Sequence, residues 1–183
     1  MIRKKLCAIT FVVLVGYMSP AYCEYFVGID YSAFDVSMKN SSFNTGFYGN
    51  QQRIRAGYRG DMVGFELDFL SAQDDTNASG FLNYEVGPAY GAYMYLYDKW
   101  IYGKVGALMT DSTLTNVVSG ISDNHSLWQF SAGIGVQFEI VEHVYINADY
   151  TYSNGSGKYA DVYGGENLNI TTQSLAAGLT LGF

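Results

Sequence analysis

The sequence predicts an all-β fold, an eight-stranded antiparallel up-and-down transmembrane β-barrel. Three observations predict it. Apolar residues alternate with small or polar ones along eight segments, short and long connections between the segments alternate, and charged residues fall almost entirely on one face. A period of two indicates strands whose two faces meet different surroundings. A soluble β-sandwich is the alternative, since ordinary core aromatics would give similar apolar faces, but it leaves the alternating loop lengths unexplained.

The composition suits a β-sheet whose residues alternate between facing lipid and facing water. The chain has 183 residues, enough for one domain, and charged residues make up 15%, below the ~25% typical of soluble domains. Glycine occurs 21 times and proline only 2 times, which favours long uninterrupted strands. No segment after the N-terminus has the ~20 consecutive apolar residues that a transmembrane helix needs.

Residues 1–23 have the pattern of a cleaved secretory signal peptide. Basic residues precede a short apolar run, and Ala21 and Cys23 stand at the −3 and −1 positions of a cleavage site. Cleavage would leave a cysteine-free domain, 24–183. Loss of the three basic residues would change the formal net charge from −7 to −10, which argues against nucleic acid as a partner. Lipid attachment at Cys23 is the alternative, and the bulky Tyr22 before it disfavours a lipoprotein signal.

The connections between the eight segments are of two kinds. Three are tight, at 60–61, 98–99 and 141–143, and the other four are long and polar. Short turns on one side of a membrane and long loops on the other are typical of transmembrane barrels. The eight segments are 25–33, 51–59, 62–70, 82–96, 100–110, 127–140, 144–152 and 173–183.

The charged residues are predicted to lie inside the barrel. If Gly60-Asp61 is a two-residue hairpin turn, Arg55 lies opposite Glu66 and Arg53 lies opposite Asp68, so opposite charges pair across the strands. The turn at Asp98-Lys99 would likewise place Tyr95 opposite Tyr102 and Tyr93 opposite Lys104. An eight-stranded barrel has room only for side chains, so the charges are predicted to plug the lumen rather than line a pore. The predicted inward charges are Asp30, Arg53, Arg55, Glu66, Asp68, Glu85, Lys104 and Asp149.

Aromatic residues fall near both ends of the segments, where the membrane interfaces would be. One group is predicted at the end with short turns and the other at the end with long loops. The first group is Phe65, Trp100, Phe138 and Phe183, and the second is Phe69, Tyr84, Trp128 and Tyr152.

The chain resembles the small outer-membrane β-barrel family, which includes the OmpA-like transmembrane barrel and the OmpX/Ail-type proteins. The resemblance is carried by the segments 25–30, 55–58, 64–67 and 178–183 and covers nearly the whole mature chain. It implies a bacterial outer-membrane location, contact with outer-membrane lipid and lipopolysaccharide, and insertion by the barrel assembly machinery. In this family the terminal pattern with Gly178, Leu181 and Phe183 resembles the assembly signal. The activity is not implied, because the family is functionally mixed.

Motifs that suggest chemistry have simpler interpretations. Arg59-Gly60-Asp61 resembles an integrin-binding tripeptide, but it is predicted to form a periplasmic turn. His125 and Ser126 are adjacent and therefore point to opposite faces of a strand, so they do not form a catalytic pair. His143 is predicted in a turn, and Asp74-Asp75 is predicted to start a loop. We expect no catalytic residues, no cofactor and no metal site.

Three functions are compatible with these observations. The first is a non-enzymatic outer-membrane protein with a structural or surface-interaction role, which contacts a host or surface ligand through its four long outer loops. The second is a narrow channel for small solutes. The third is a lipid-modifying barrel enzyme, disfavoured because no Ser/His/acid constellation is evident.

Overall fold

The computed structural model describes residues 24–39, 44–79, 82–158 and 167–183, and the predicted signal peptide lies outside them. In these ranges all regular structure is β, and no helix suitable for crossing a membrane is present. The strands are β1 (Glu24–Lys39), β2 (Asn44–Arg59), β3 (Val63–Leu70), β4 (Gln73–Ser79), β5 (Leu82–Asp98), β6 (Ile101–Asn116), β7 (Ile121–Val141), β8 (Val144–Lys158) and β9 (Asn167–Gly182).

The strands form a closed antiparallel ring. Apart from β3 and β4, each strand pairs with its chain neighbours, and β1 pairs with β9 from Phe26 opposite Gly182 to Lys39 opposite Asn169. Both β3 and β4 pair with β5, so together they form one strand of the ring, interrupted at 71–72. The predicted eight-stranded up-and-down barrel is therefore confirmed. We call the end that holds Phe183 and the three short turns the turn end, and the opposite end the loop end.

The strands extend much further towards the loop end than the sequence predicts. The connection between β6 and β7 was expected to span 111–126, but it consists of four residues, 117–120. Strand β2 begins at Asn44 rather than at residue 51, and β9 begins at Asn167 rather than at residue 173. These extensions are rich in Ser, Thr and Asn, so their composition resembles that of loops. Much of each expected loop is therefore barrel wall.

The barrel has two halves with opposite surroundings. In the turn half of β1 the outward side chains are apolar and none is charged, whereas Asp30 and Ser32 face inward. Further along the same inward face of β1, Phe34 and Val36 are buried, and the outward Asp35 is exposed. We define the loop half as 34–39, 44–51, 73–79, 82–87, 111–127, 153–158 and 167–172. Its buried apolar core consists of Phe34, Val36, Met38, Phe47, Leu82, Tyr84, Val86, Leu114, Leu127, Leu168 and Ile170.

A β-bulge in β5 corrects two predicted positions. The register between β5 and β6 shifts between Val86 and Ala89, which reverses the face that each later side chain meets. Tyr84 was expected at the lipid interface but is 2% exposed in the core of the loop half. Glu85 was expected in the lumen but lies on the outward face, where Asn83 Nδ2 donates a hydrogen bond of 3.4 Å to it.

Two hairpins have a register that differs by two residues from the prediction. Arg59 lies opposite Gly64 rather than Met62, because residues 60–63 separate this pair and the hydrogen bond from Gly60 N to Val63 O, 2.9 Å, closes the turn. Tyr97 lies opposite Tyr102, because the turn residues are 99–100, with Lys99 in the left-handed region at φ 55°. A shift of two preserves the inward face of every side chain.

Candidate functional site

The lumen of the turn half contains a buried ion-pair network. Arg53 bridges Asp30, at 2.7 Å between Nη2 and Oδ2, and Asp149 on the opposite side of the ring. Arg55 joins Asp30 at 2.7 Å to Glu66 at 2.9 Å. These residues lie on β1, β2, β3 and β8, so the network crosses the lumen instead of following one hairpin. All of the predicted inward charges except Glu85 belong to it.

The predicted charge partners are brought together despite the shifted register. Arg55 lies directly opposite Asp68, and Glu66 is its diagonal neighbour. Diagonal neighbours on one face of a sheet remain within reach of a long side chain. Arg53 Nη1 is 3.6 Å from Asp68 Oδ2, so this second predicted pair is looser than the first.

Lys104 completes the network from the far wall. Its Nζ lies 2.6 Å from Asp149 Oδ1 and is 5.1 Å from the ring centre of Tyr93. Each of the seven charged residues is at most 5% exposed. Three cations face four carboxylates, and Asp68 Oδ1 has no hydrogen-bond partner among the described residues.

Polar residues that were not predicted as site residues complete the network. Asn147 Nδ2 donates to Asp30 Oδ1 at 2.9 Å, and Arg55 Nη2 donates to Thr180 Oγ1 at 2.7 Å. Tyr95 OH donates to Glu66, and Tyr102 OH donates to Asp149 at 3.3 Å. Their inward positions followed from the alternation, but their contacts across the ring depend on barrel closure, which no local pattern encodes.

Chemically, this network can close the lumen. Buried ion pairs are costly to desolvate, and they hold only while every partner is present. No group of three or more His, Cys, Asp or Glu residues suited to a metal ion occurs within the described ranges. Above the network, the apolar core of the loop half leaves a cavity of about 20 Å³, roughly the space of a single water molecule.

The turn end is closed by a second network centred on Arg59. Its guanidinium is bound by Glu24, donates to Gln137 Oε1 at 2.8 Å and lies 4.1 Å from the ring centre of Tyr145. Glu24 also lies 2.9 Å from His143 Nδ1. Arg59 therefore ties β2 to β1, β7 and β8 at the rim.

The rim network shifts the pKa values of its members. Burial opposes ionisation of Glu24, but hydrogen bonds from His143 and Arg59 outweigh it, so the pKa of Glu24 lies below its ordinary value. The hydrogen bond to Glu24 raises the pKa of His143, with a smaller opposing effect of desolvation. Both shifts favour the charged pair.

The predicted interface and assembly residues lie on the barrel wall. Trp100 stacks on Phe138 with ring centres 5.6 Å apart, near the turn end. Trp128 and Tyr152 face outward and are 67% and 44% exposed. In β9, Leu181 faces outward and the terminal Phe183 stacks on Tyr25 at 6.4 Å.

Gly178, predicted as part of the assembly signal, also has a packing role in β9. A Cβ atom there would collide with the Ile29 carbonyl and with Asp30 of β1. Glycine therefore allows close approach of β1 and β9 where the ring closes.

The motifs that resemble active or recognition sites are separated or occupied. His125 shares the inward face of β7 with Leu127, whereas Ser126 points outward and donates to Asp111 Oδ1 at 2.5 Å. The Arg59-Gly60-Asp61 tripeptide lies at the turn end, with its arginine held in the rim network. The Asp74-Asp75 pair belongs to β4 rather than to a loop, and its side chains lie outside the described part of the structure.

Comparisons with known proteins agree with this architecture. The family model described as "Outer membrane protein beta-barrel domain" matches residues 9–183. Neisserial surface protein A has a similar structure, with TM-score 0.60, 18% identity and coverage of 87% of this chain and 97% of that one. The outer membrane protein OprG from Pseudomonas aeruginosa gives TM-score 0.60, 14% identity and coverage of 88% and 96%. No curated protein sequence matches the chain significantly.

Proposed function

Because this chain belongs to the outer membrane protein β-barrel domain family, we propose that it is a non-enzymatic surface protein of the bacterial outer membrane with a closed lumen. Its loop half projects from the membrane and is the part available for interaction. In this proposal the barrel contacts outer-membrane lipid and lipopolysaccharide, and the barrel assembly machinery inserts it using the terminal pattern at Gly178, Leu181 and Phe183. A cleaved signal peptide, 1–23, exports the chain and makes Glu24 the mature N-terminus.

The observation that carries the proposal is that the lumen is filled at two successive levels. In the turn half, side chains from opposite walls meet, as Arg53 and Asp149 do. In the loop half, apolar side chains such as Phe47 and Leu168 are at most 1% exposed. A solute channel would need a continuous water-filled path, and both levels oppose one because paired charges and packed apolar groups interrupt it.

The enzyme hypothesis receives no support from the outward surface. A lipid-modifying barrel would need a nucleophile and its base on one face. Ser126 and His125 point to opposite faces of β7, and Asp111 accepts a hydrogen bond from the Ser126 hydroxyl with no histidine between them.

Planar-bilayer conductance of the refolded protein tests the proposal. We expect no stable unitary currents, because the plug leaves no continuous water path. Heat-modifiable gel migration of the same sample, together with its detergent requirement, verifies that the protein tested is a folded barrel. Stable unitary currents from such a sample would contradict the closed lumen and favour the narrow channel.

N-terminal sequencing of protein purified from outer membranes tests the export route. We expect Glu24 as the first residue. A start at residue 1, or a lipid-modified Cys23, would contradict the proposed cleavage without affecting the closed lumen.

A further inference from the structure

A polar cleft of about 360 Å³ opens on the outward face of the loop half, beside the bulge in β5. Its walls include Asp111 and Thr113 of β6 together with Asn124 and Ser126 of β7. At its edge lies Gly87, where a Cβ atom would be 3.0 Å from the Asp111 carbonyl oxygen. A side chain there would occupy space beside Asp111, so glycine keeps the cleft open. The volume falls within the range of about 300–1,000 Å³ typical of small-molecule sites.

The side chains of the cleft are arranged in two hydrogen-bonded pairs. Ser126 Oγ donates to Asp111 Oδ1 at 2.5 Å, and Thr113 Oγ1 donates to Asn124 Oδ1 at 2.6 Å. These bonds orient Asp111 and Asn124, and they leave one carboxylate oxygen and the amide nitrogen without a partner in the described part of the chain. A fixed acceptor beside a fixed donor fits neighbouring hydroxyl groups, which both donate and accept.

The charge of the cleft excludes one class of ligand. Asp111 is its one acidic residue, no Lys or Arg lines it, and its one basic residue, His125, is directed to the inward face of β7. Phosphate and carboxylate ligands are normally held by Arg, Lys or backbone N–H groups, so an anion would meet repulsion here. The complementary ligand is a neutral polyol.

An aromatic side chain stands next to the cleft on the membrane side. Trp128 is the next outward residue after Ser126 on β7 and is 67% exposed, and Phe130 follows it at 68%. The change from Phe and Trp to Ser and Asn marks the level of the membrane interface, where an indole ring is stable. The cleft therefore lies at the height of headgroup sugars, with an aromatic face beneath it.

We propose that this cleft binds uncharged sugar residues, either of an outer-leaflet glycolipid or of a free glycan. Asp111 and Asn124 hold the hydroxyl groups, and Trp128 packs against the apolar face of the sugar ring. The inference requires the outer-membrane location of the proposed function but not its closed lumen, so a conducting barrel would leave the inference intact.

The fluorescence of Trp128 can report binding at the cleft. The sequence contains 2 tryptophans, and Trp100 lies at the opposite end of the barrel, so Trp100→Phe leaves a single reporter next to the cleft. The refolded full-length domain in detergent micelles is titrated with lipopolysaccharide, with lipid A lacking the core sugars, and with the core oligosaccharide released from its lipid. We expect a saturable change in Trp128 fluorescence with lipopolysaccharide.

Variants of the cleft separate recognition from partition into micelles. Asp111→Ala and Asn124→Ala should each raise the half-saturation concentration about five-fold, the effect of losing a single hydrogen bond of ordinary strength. Asn50→Ala is the matched control, because Asn50 is also an exposed, outward-facing asparagine of the loop half and lies on β2, four strands from β7 around the ring. It should leave the titration unchanged.

The three ligands distinguish the sources of the sugar. Saturation by free core oligosaccharide supports glycan recognition independent of the lipid. Saturation by lipopolysaccharide alone, weakened by the cleft variants, supports a membrane-anchored glycolipid. Equal responses to lipid A and lipopolysaccharide, no saturable response, or equal weakening by Asn50→Ala would each overturn the proposal.

Discussion

The two halves of the barrel use opposite kinds of side chain to fill the lumen and to cover the outer surface. In the turn half, lipid-facing side chains are apolar, and the lumen is filled by ion pairs such as Arg55 with Glu66. In the loop half, side chains such as Phe34 and Met38 fill the lumen, and polar residues face outward. Along β1 the inward parity does not change; only the residue type does. The difference shows that the surrounding solvent, not the interior, decides which face is apolar.

The largest expected effect comes from breaking the network of the turn half. Arg53→Met removes the guanidinium shared by Asp30, Asp68 and Asp149, and it leaves buried carboxylates uncompensated. We expect a loss of about 3–5 kcal/mol in the free energy of unfolding, measured by denaturant titration of the refolded barrel. Lys39→Met, at an exposed end of β1, is the control and should change little. Equal stability of both variants would contradict a structural role for the network.

Truncating the core of the loop half should have a somewhat smaller effect. Leu114 is 0% exposed among apolar neighbours, so Leu114→Ala should cost about 2–4 kcal/mol by leaving a cavity. The same denaturant titration measures it. Val118→Ala, at an 82% exposed position in the turn between β6 and β7, is the matched control. A loss of stability in the control but not in Leu114→Ala would mean that the apolar core does not support the loop half.

The rim network should make stability depend on pH. The pKa of His143 is raised, so its contribution is present while the ring is protonated and is lost as pH rises above about 6.5. The pKa of Glu24 is lowered, so its contribution is present above its ordinary value and is lost as pH falls through its folded value. The rim should therefore be most stable between these limits. His143→Asn should remove the decline between pH 6 and 8, measured by thermal unfolding at each pH; an unchanged decline would exclude this pair as its cause.

The bulge in β5 is tested by the accessibility of single thiols rather than by stability. The mature domain is expected to lack cysteine, so a single thiol reports its own accessibility. Glu85→Cys should react rapidly with a membrane-impermeant maleimide, because the side chain faces outward. Tyr84→Cys should be protected in the folded barrel. If Tyr84→Cys reacted faster than Glu85→Cys, the two side chains would have the orientations expected from simple alternation, and the bulge would be contradicted.

Much of this architecture could be predicted from alternation alone. The inward positions of Asp30, Arg53, Lys104 and Asp149 depend only on parity, and parity survives a register shift of two. The bulge was not predicted, although Gly87-Pro88 within a strand is a recognised sign of one.

The loop half was not predicted, because its outward polar residues resemble loop composition. Strand pairing, which distinguishes a wall from a loop, lies in contacts between chain segments. For the same reason the lumen contact of Arg53 with Asp149, 96 positions apart in sequence, could not be predicted from a hairpin.

The reversal of faces along the strands has a consequence for how the barrel sits in the bilayer. If the barrel rose by two residues along β7, Trp128 would leave the interface and charged residues of the turn end would enter the hydrocarbon. If it sank, Asp111 and Asn124 would do so. Either displacement transfers polar groups into lipid at a cost of kilocalories per charged group. A bilayer of unsuitable thickness would therefore deform around the barrel rather than shift it. The barrel surface therefore sets the depth of the protein in the bilayer. It also determines whether each outward residue contacts lipid or water.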